Sequence, residues 1–325
     1  MINEIILTLL ILLVIVLIIL KTNILSYTKF NNLYDKKSND IRLLTYNLFL
    51  TPIKITEYDT YNKDRINLFV KKIKNYDVIC LQEIYSTNFT NINLLLKECV
   101  KRGYNYYYQK SPTFYSKHIL NSGLLILSKF KIHDTGFLPF TYSKSYDRLT
   151  EKGIIYIKII CNKKPVYIFN THIQSNYNFN LSKPYRTVIK SQINEVINAV
   201  KYFGKNNITI LVGDFNVDNN EYNLSNFMKQ YGLYDTNENT NKYTFINYFD
   251  NYNNEIIKYK PFICKKSNEY IKTIQHNTKK SKIDYIFYDN RYINLIESDI
   301  IEFNINHKYL SHLSDHKGVY AHFKI

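Results

Sequence analysis

A chain of 325 residues in which 45% are apolar is long enough to bury a sizeable core and too apolar for wholesale disorder. Its 43 Lys and Arg against 27 Asp and Glu give a formal charge of +16. That excess predicts an anionic partner, whether nucleic acid, a phosphorylated small molecule or an anionic lipid surface, without choosing among them. The 32 Tyr, the absence of Trp and the frequent Asn, Lys and Ile read as the coding bias of an A/T-rich genome, so tyrosine-rich stretches carry little weight as binding signals.

The first element is the uncharged run Ile5–Leu20, which with its flanks approaches the length of a bilayer span. No Lys or Arg precedes it and no small-residue cleavage site follows, which argues for an uncleaved anchor over a signal peptide. Lys21, Lys29, Lys36 and Lys37 all follow the run, so the positive-inside rule predicts a single-pass membrane protein with its main domain in the cytosol. Residues 21–39 are polar and aperiodic, as expected of a tether, and residues 40–325 show no second linker and no internal repeat. Cys80, Cys99, Cys161 and Cys264 form no CxxC pair, which predicts reduced thiols in the core rather than a zinc site or a disulfide framework.

Beyond Asp40, strand-like runs fall at Ile41–Asn47, Val78–Gln82, Gly123–Ser128, Ile154–Ile160, Val166–His172, Ile208–Asp214, Ile283–Tyr288 and Gly318–Phe323. Between them, Ile189, Ile193, Val196, Ile197 and Val200 repeat at the spacing of one buried helix face, which predicts a helix over Tyr185–Phe203. Many strands with a few surface helices predict a layered α/β architecture with sheet packed on sheet.

Several of these runs end in a residue able to hold a metal or a phosphate: Asn47 in LLTYN, Glu83 in DVICLQE, His172 in IFNTH, Asp214 and Asn216 in ILVGDFN, Asp284 in KIDYIFY, and Asp315 and His316 in LSDH. Any one of them alone reads as a turn residue or a satisfied polar group. Together, apolar strands that deliver carboxylate, amide and imidazole groups to their ends predict a preorganised site.

The ordered set TYN, LQE, NTH, GDFN, DYIF and SDH resembles the endonuclease/exonuclease/phosphatase superfamily, from about Ile41 to the chain end. The resemblance implies a four-layer sandwich of two mixed sheets flanked by helices, and hydrolysis of a phosphate ester assisted by Mg²⁺, or by Mn²⁺ in its place. It implies Glu83 and Asn47 as metal ligands, His316 as general base oriented by Asp284, and Asp214 to position the attacking water. It further implies Asn216 as a hydrogen-bond donor to the phosphate, His172 at the transition state or leaving oxygen, and Asp315 completing the metal and histidine surroundings.

Asp147-Arg148-Leu149-Thr150-Glu151-Lys152-Gly153 resembles the D-x₄-K-G segment of neutral sphingomyelinases, in which Asp and Lys order a loop over the site. The segments Asn121–Phe130 and Asn170–Ser175 resemble the same branch. The expected partners are therefore a phospholipid membrane and a phosphodiester substrate, with no protein partner indicated. The rival expectations are a DNA endonuclease of the same fold, favoured by the charge, an inositol polyphosphate phosphatase, and an inactive membrane-tethered binding module. Glu255–Lys282 carries eight Lys against two Glu and reads as a solvated loop, with anionic lipid or nucleic-acid contact as the alternative. The aromatic stretches Gly103–Tyr115 and Phe137–Tyr146 read as ordinary packing, with a place at a membrane interface as the alternative.

Overall fold

Successive residues of a strand face opposite ways, and this period of two sorts the apolar runs into layers. In the computed structural model, which describes residues 36–51, 60–85, 89–110, 118–176, 183–249, 263–273 and 276–325, β1 (Asp40–Leu50) sends Ile41 and Leu43 to one side and Leu44, Tyr46 and Leu48 to the other. It pairs in parallel with β2 (Val78–Ile84) and antiparallel with the last strand, Gly318–Lys324. With β3 (Tyr106–Tyr108), β4 (Leu125–Ser128) and Asn294–Ile301 they form the first six-stranded sheet.

The second six-stranded sheet holds β5 (Ile132–Pro139), β6 (Gly153–Cys161), β7 (Lys164–His172), β8 (Ile208–Asp214), β9 (Tyr234–Asp235) and Asp284–Tyr288. Its β7 and β8 run parallel and its other pairs antiparallel. β10 (Phe245–Phe249) and β11 (Asn277–Ser281) pair antiparallel in a separate two-stranded sheet. The strands that follow are β12 (Asp284–Tyr288), β13 (Asn294–Ile301) and β14 (Gly318–Lys324).

The facing sides of the two sheets form the central core, where Ile41, Leu43, Val78 and Cys80 meet Ile155, Ile168, Ile210 and Ile286. On the outer side of the first sheet, Ile66, Phe69 and Val70 of α1 (Asn62–Lys72) and Leu95 and Leu96 of α2 (Phe89–Val100) cover Leu44, Ile79 and Leu81. On the outer side of the second, α3 (Lys183–Gly204) lays Ile189, Ile193, Val196 and Val200 on Phe169 and Leu211. The result is the four-layer sandwich expected. Asp64 in the first turn of α1 and Lys71 and Lys72 in its last turn complement the helix dipole.

One expectation is corrected. Among the described residues no helix is long and apolar enough to cross a membrane, which removes the support for a single-pass anchor with a cytosolic domain; the run Ile5–Leu20 itself lies outside the described residues. Residues 36–39, expected to belong to a tether, bond to the sandwich: Lys36 pairs with Asp77, and the Ser38 carbonyl accepts from Asn162 N–H. Cys80, Cys99, Cys161 and Cys264 are free and buried.

The aromatic stretches divide. Tyr104 is buried, its hydroxyl donating to the carbonyls of Ile73 and Tyr76, whereas Tyr142 and Tyr146 are exposed. The lysine-rich segment is not uniformly solvated either, because Lys282 is buried against Asp235 at 2.6 Å and donates to the Asn237 carbonyl.

Arg65 of α1 is 0% exposed. Its guanidinium donates to the carbonyls of Leu48, Phe49, Thr60 and Leu313 and to Asn62 Oδ1, tying the end of β1 to the segment before β14. Arg65→Met strips these buried acceptors of their donor, at about 1–3 kcal/mol for each group left unsatisfied. Urea unfolding should show a loss of about 3 kcal/mol or more, while exposed Lys72→Met on the same helix stays within about 0.5 kcal/mol.

Candidate active site

The inward face of each central strand is apolar at one end and polar at the other. In β1 it reads Ile41, Leu43, Thr45, Asn47; in β2 Val78, Cys80, Gln82; in β7 Val166, Ile168, Asn170, His172; in β8 Ile208, Ile210, Val212, Asp214. Strand pairing sets His172 opposite Asp214 and Asp214 opposite Asp284, so three adjacent strands present three titratable groups in one row. From the other sheet, Asn47 on β1 and His316, two residues before β14, close on that row.

Asp214 is the hub. Its Oδ2 accepts from Asn47 Nδ2 at 3.1 Å, with His172 Nε2 at 3.6 Å and His316 Nε2 at 3.8 Å. Its Oδ1 accepts from the Asn216 backbone N–H at 2.9 Å. His316 Nδ1 lies 2.9 Å from Asp284 Oδ2, and the Phe245 ring stacks beside the imidazole at 4.6 Å.

Burial raises the Asp214 carboxyl to about 7, helped by the negative charge of Asp284 and opposed by His316. For His316, burial acts downward, but the Asp284 and Asp214 carboxylates outweigh it and hold the ring at about 10. His172 moves the other way, well below its ordinary value, through burial and then the charges of Lys152 and His316. Two imidazoles on either side of one carboxylate are thus kept in different protonation states, which is the signature of an acid–base site.

Asn47 also donates to Glu83 Oε1 at 2.9 Å, placing the Glu83 carboxylate beside Asp214, while its own Oδ1 accepts from Phe49 N–H. Glu83 sits at φ 60 and Phe49 at φ 49, left-handed positions that L-residues adopt at a cost and that turn the strand ends around the site. Asp214, Asp284 and His316 bring ligand atoms within 4.8 Å of one another. Asp284 Oδ1 is buried with no hydrogen-bond partner. Glu83 and Asp214 carboxylates joined through the Asn47 amide supply hard oxygen donors of the kind that suit a divalent cation.

The remaining predicted residues lie at the margins. Asn216, at φ 51, turns its side-chain amide to the Ile173 carbonyl at 3.1 Å, and Asp315 accepts from the Ser314 hydroxyl at 3.2 Å. Asp147 and Lys152 form a buried ion pair at 3.0 Å directly behind His172. Lys152 Nζ donates to the Ile173 carbonyl and Asp147 Oδ2 accepts from Ser175 N–H, so the pair grips the chain leaving β7.

Sequence reasoning passed over three further groups. Thr244 Oγ1 accepts from the N–H groups of Ile283 and Asp284, and no local signal marks it. Gln82 Nε2 donates to Asn170 Oδ1 at 2.7 Å across the two sheets. Both lie inside the recognised LQE and NTH motifs, so their polar identity in a buried stripe was the available sign.

The chain belongs to the Endonuclease/Exonuclease/phosphatase family, whose model matches residues 44–316. It is 27% identical over 208 residues to sphingomyelinase C 2 of Leptospira interrogans, an alignment covering 58% of this chain and 33% of that protein. The chain thus spans about a third of that relative's length. The crystal structure of Staphylococcus aureus beta toxin with bound magnesium ions superposes with a TM-score of 0.63 at 21% identity, covering 87% of this chain and 99% of the toxin. Danio rerio TDP2 complexed with a single-strand DNA product gives 0.61 at 17% identity, covering 88% and 99%. At these identities the superpositions establish the fold.

The Asp147–Lys152 pair should behave as a buried pair in denaturant unfolding. Asp147→Asn leaves the Lys152 ammonium buried without its counter-charge and should cost about 3–5 kcal/mol, whereas the double change Asp147→Leu with Lys152→Met should recover most of that loss. Equal stability of Asp147→Asn and wild type would place the pair in solvent.

Proposed function

We propose that the chain is a Mg²⁺-dependent phosphodiesterase that hydrolyses sphingomyelin or a related phospholipid, releasing the phosphorylated headgroup. The arrangement around Asp214 supports phosphate-ester hydrolysis in general. The observation that carries the lipid branch is the buried Asp147–Lys152 pair seated on the exit of β7. Sphingomyelinase C 2 is among the chain's relatives, in keeping with that choice.

Glu83 and Asn47 would hold the divalent cation, which when bound would neutralise charge developing on the phosphoryl oxygens. Asp214 orients the attacking water and takes up the proton this water sheds, while the Asp284 carboxylate fixes the His316 imidazole beside it. His172, kept neutral by burial, would donate a ring N–H hydrogen bond to the leaving oxygen. Asn216 steadies Asp214 through its backbone N–H and stands ready at the phosphate.

A second reading, a nuclease of the same fold, draws on the +16 charge and on the DNA-bound relative in fold. The two separate in one experiment: the full chain and Lys152→Ala on sphingomyelin liposomes and on plasmid DNA, each with Mg²⁺ or EDTA. Phosphocholine release that needs Mg²⁺ and is lost in Lys152→Ala supports the lipid reading. DNA nicking indifferent to that change, without phosphocholine release from either protein, moves the assignment to the nuclease.

His316→Ala should lower kcat by about 10²–10⁴, the usual worth of a positioned acid or base. Adding Asp284→Asn should cost little more, because the carboxylate acts through the imidazole. Additive losses would show two independent groups.

A further inference from the structure

The residues that grip the exit of β7 sit on the inner side of a short element whose outer side is apolar and exposed. Ser145–Leu149 is a single 3₁₀ helix, in which residues three apart eclipse. Asp147 therefore points inward to Lys152 while Tyr146 and Leu149 share the outward face, 71% and 46% exposed. Ile119, 70% exposed, extends this face, since its N–H donates to the Leu149 carbonyl at 3.0 Å and the next residue, Leu120, bridges to Thr150. Arg148 lies exposed between Asp147 and Leu149, with His118 bonded to its carbonyl. Aliphatic and aromatic side chains beside a guanidinium match the layering of a bilayer interface, acyl chain below and phosphate above.

We infer that Ile119, Tyr146 and Leu149, with Arg148 at their edge, form a surface that docks on an anionic phospholipid bilayer. The inference deepens the phospholipid reading above and rests on it for the substrate that the bilayer would present. Apolar side chains enter the interface, Arg148 meets lipid phosphate, and the chain's +16 charge favours an anionic leaflet. Because Asp147 belongs to the same helix, docking brings the bilayer against the element that supports the site beside His172.

The chain contains no Trp, so Leu149→Trp installs a unique fluorescent reporter on the surface, and Tyr202→Trp installs one on α3, at a residue 80% exposed. With vesicles of phosphatidylcholine and phosphatidylserine, the Leu149→Trp reporter should shift to the blue and be quenched by bromine-labelled acyl chains. The Tyr202→Trp reporter should do neither, and the effect should weaken with salt or without phosphatidylserine. On sphingomyelin vesicles, Ile119→Asp with Leu149→Asp should raise KM by about tenfold or more while the turnover of a soluble phosphodiester stays unchanged.

A silent Leu149→Trp reporter on vesicles that the enzyme hydrolyses would overturn the docking surface and leave the phosphodiesterase reading standing. A shifted reporter without hydrolysis of any phosphodiester would keep the surface and end that reading. A shift that follows protein concentration in the absence of vesicles would assign the face to a second copy of the chain and overturn the bilayer.

Discussion

Everything in this structure depends on the polar end of the space between the two sheets. At the other end the inward stripes are apolar and can meet with little directional constraint. At this end Thr45, Asn47, Gln82, Asn170, His172, Asp214 and Asp284 are all buried, and a buried polar group without a partner costs more than a hydrogen bond gains. The partners lie mostly across the gap: Gln82 to Asn170, Asn47 to Asp214, His316 to Asp284. Slipping either sheet by one residue would turn these groups into the helical layers and break every such bond at once. The bonds that build the site therefore also fix how the sheets lie on one another.

The same burial sets the electrostatics. Asp214 and Asp284 face each other in adjacent strands away from solvent, where two carboxylates cannot both be charged without compensation. Among the protein's own groups the His316 ring offsets them, its pKa raised by the two carboxylates while burial lowers that of His172. Glu83 and Phe49, at the ends of the strands that carry the site, sit at left-handed φ values that L-residues adopt at a cost. Gly213 illustrates the tolerance. A Cβ there would lie 2.0 Å from the Thr171 carbonyl, so β7 and β8 approach closely only because that position, directly before Asp214, has no side chain.

The central strands and α3 were legible because their core-facing residues recur at periods of two and near four, and the site residues because each ends such a stripe. The strands that escaped are those without an inward stripe. In β11 four of five residues are exposed lysine, threonine or asparagine, β13 carries exposed Glu297 and Asp299 at a sheet edge, and β9 has two residues. Arg65 and Thr244 escaped for another reason. Their acceptors and donors lie far away in sequence, Leu313 being 248 residues from Arg65, and no local pattern encodes such a contact. The run Ile5–Leu20 lies outside the described residues, among which no helix is long and apolar enough to cross a membrane.

The coupling between surface and site runs through one carbonyl. Ile173 O accepts from Lys152 Nζ at 2.9 Å and from Asn216 Nδ2 at 3.1 Å, while Ile173 N–H donates to the Asp214 carbonyl. Lys152 is held by Asp147, and Asp147 is fixed by a helix of a single turn whose outward residues Tyr146 and Leu149 are exposed. The inner frame of the site is over-determined by bonds across two sheets, but this lateral support hangs on a five-residue element at the surface. An element so short has little stability of its own, so whatever covers Tyr146 and Leu149 also steadies Asp147. Through Lys152 it steadies the residue that follows His172, which makes the order of the outer helix part of the order of the site.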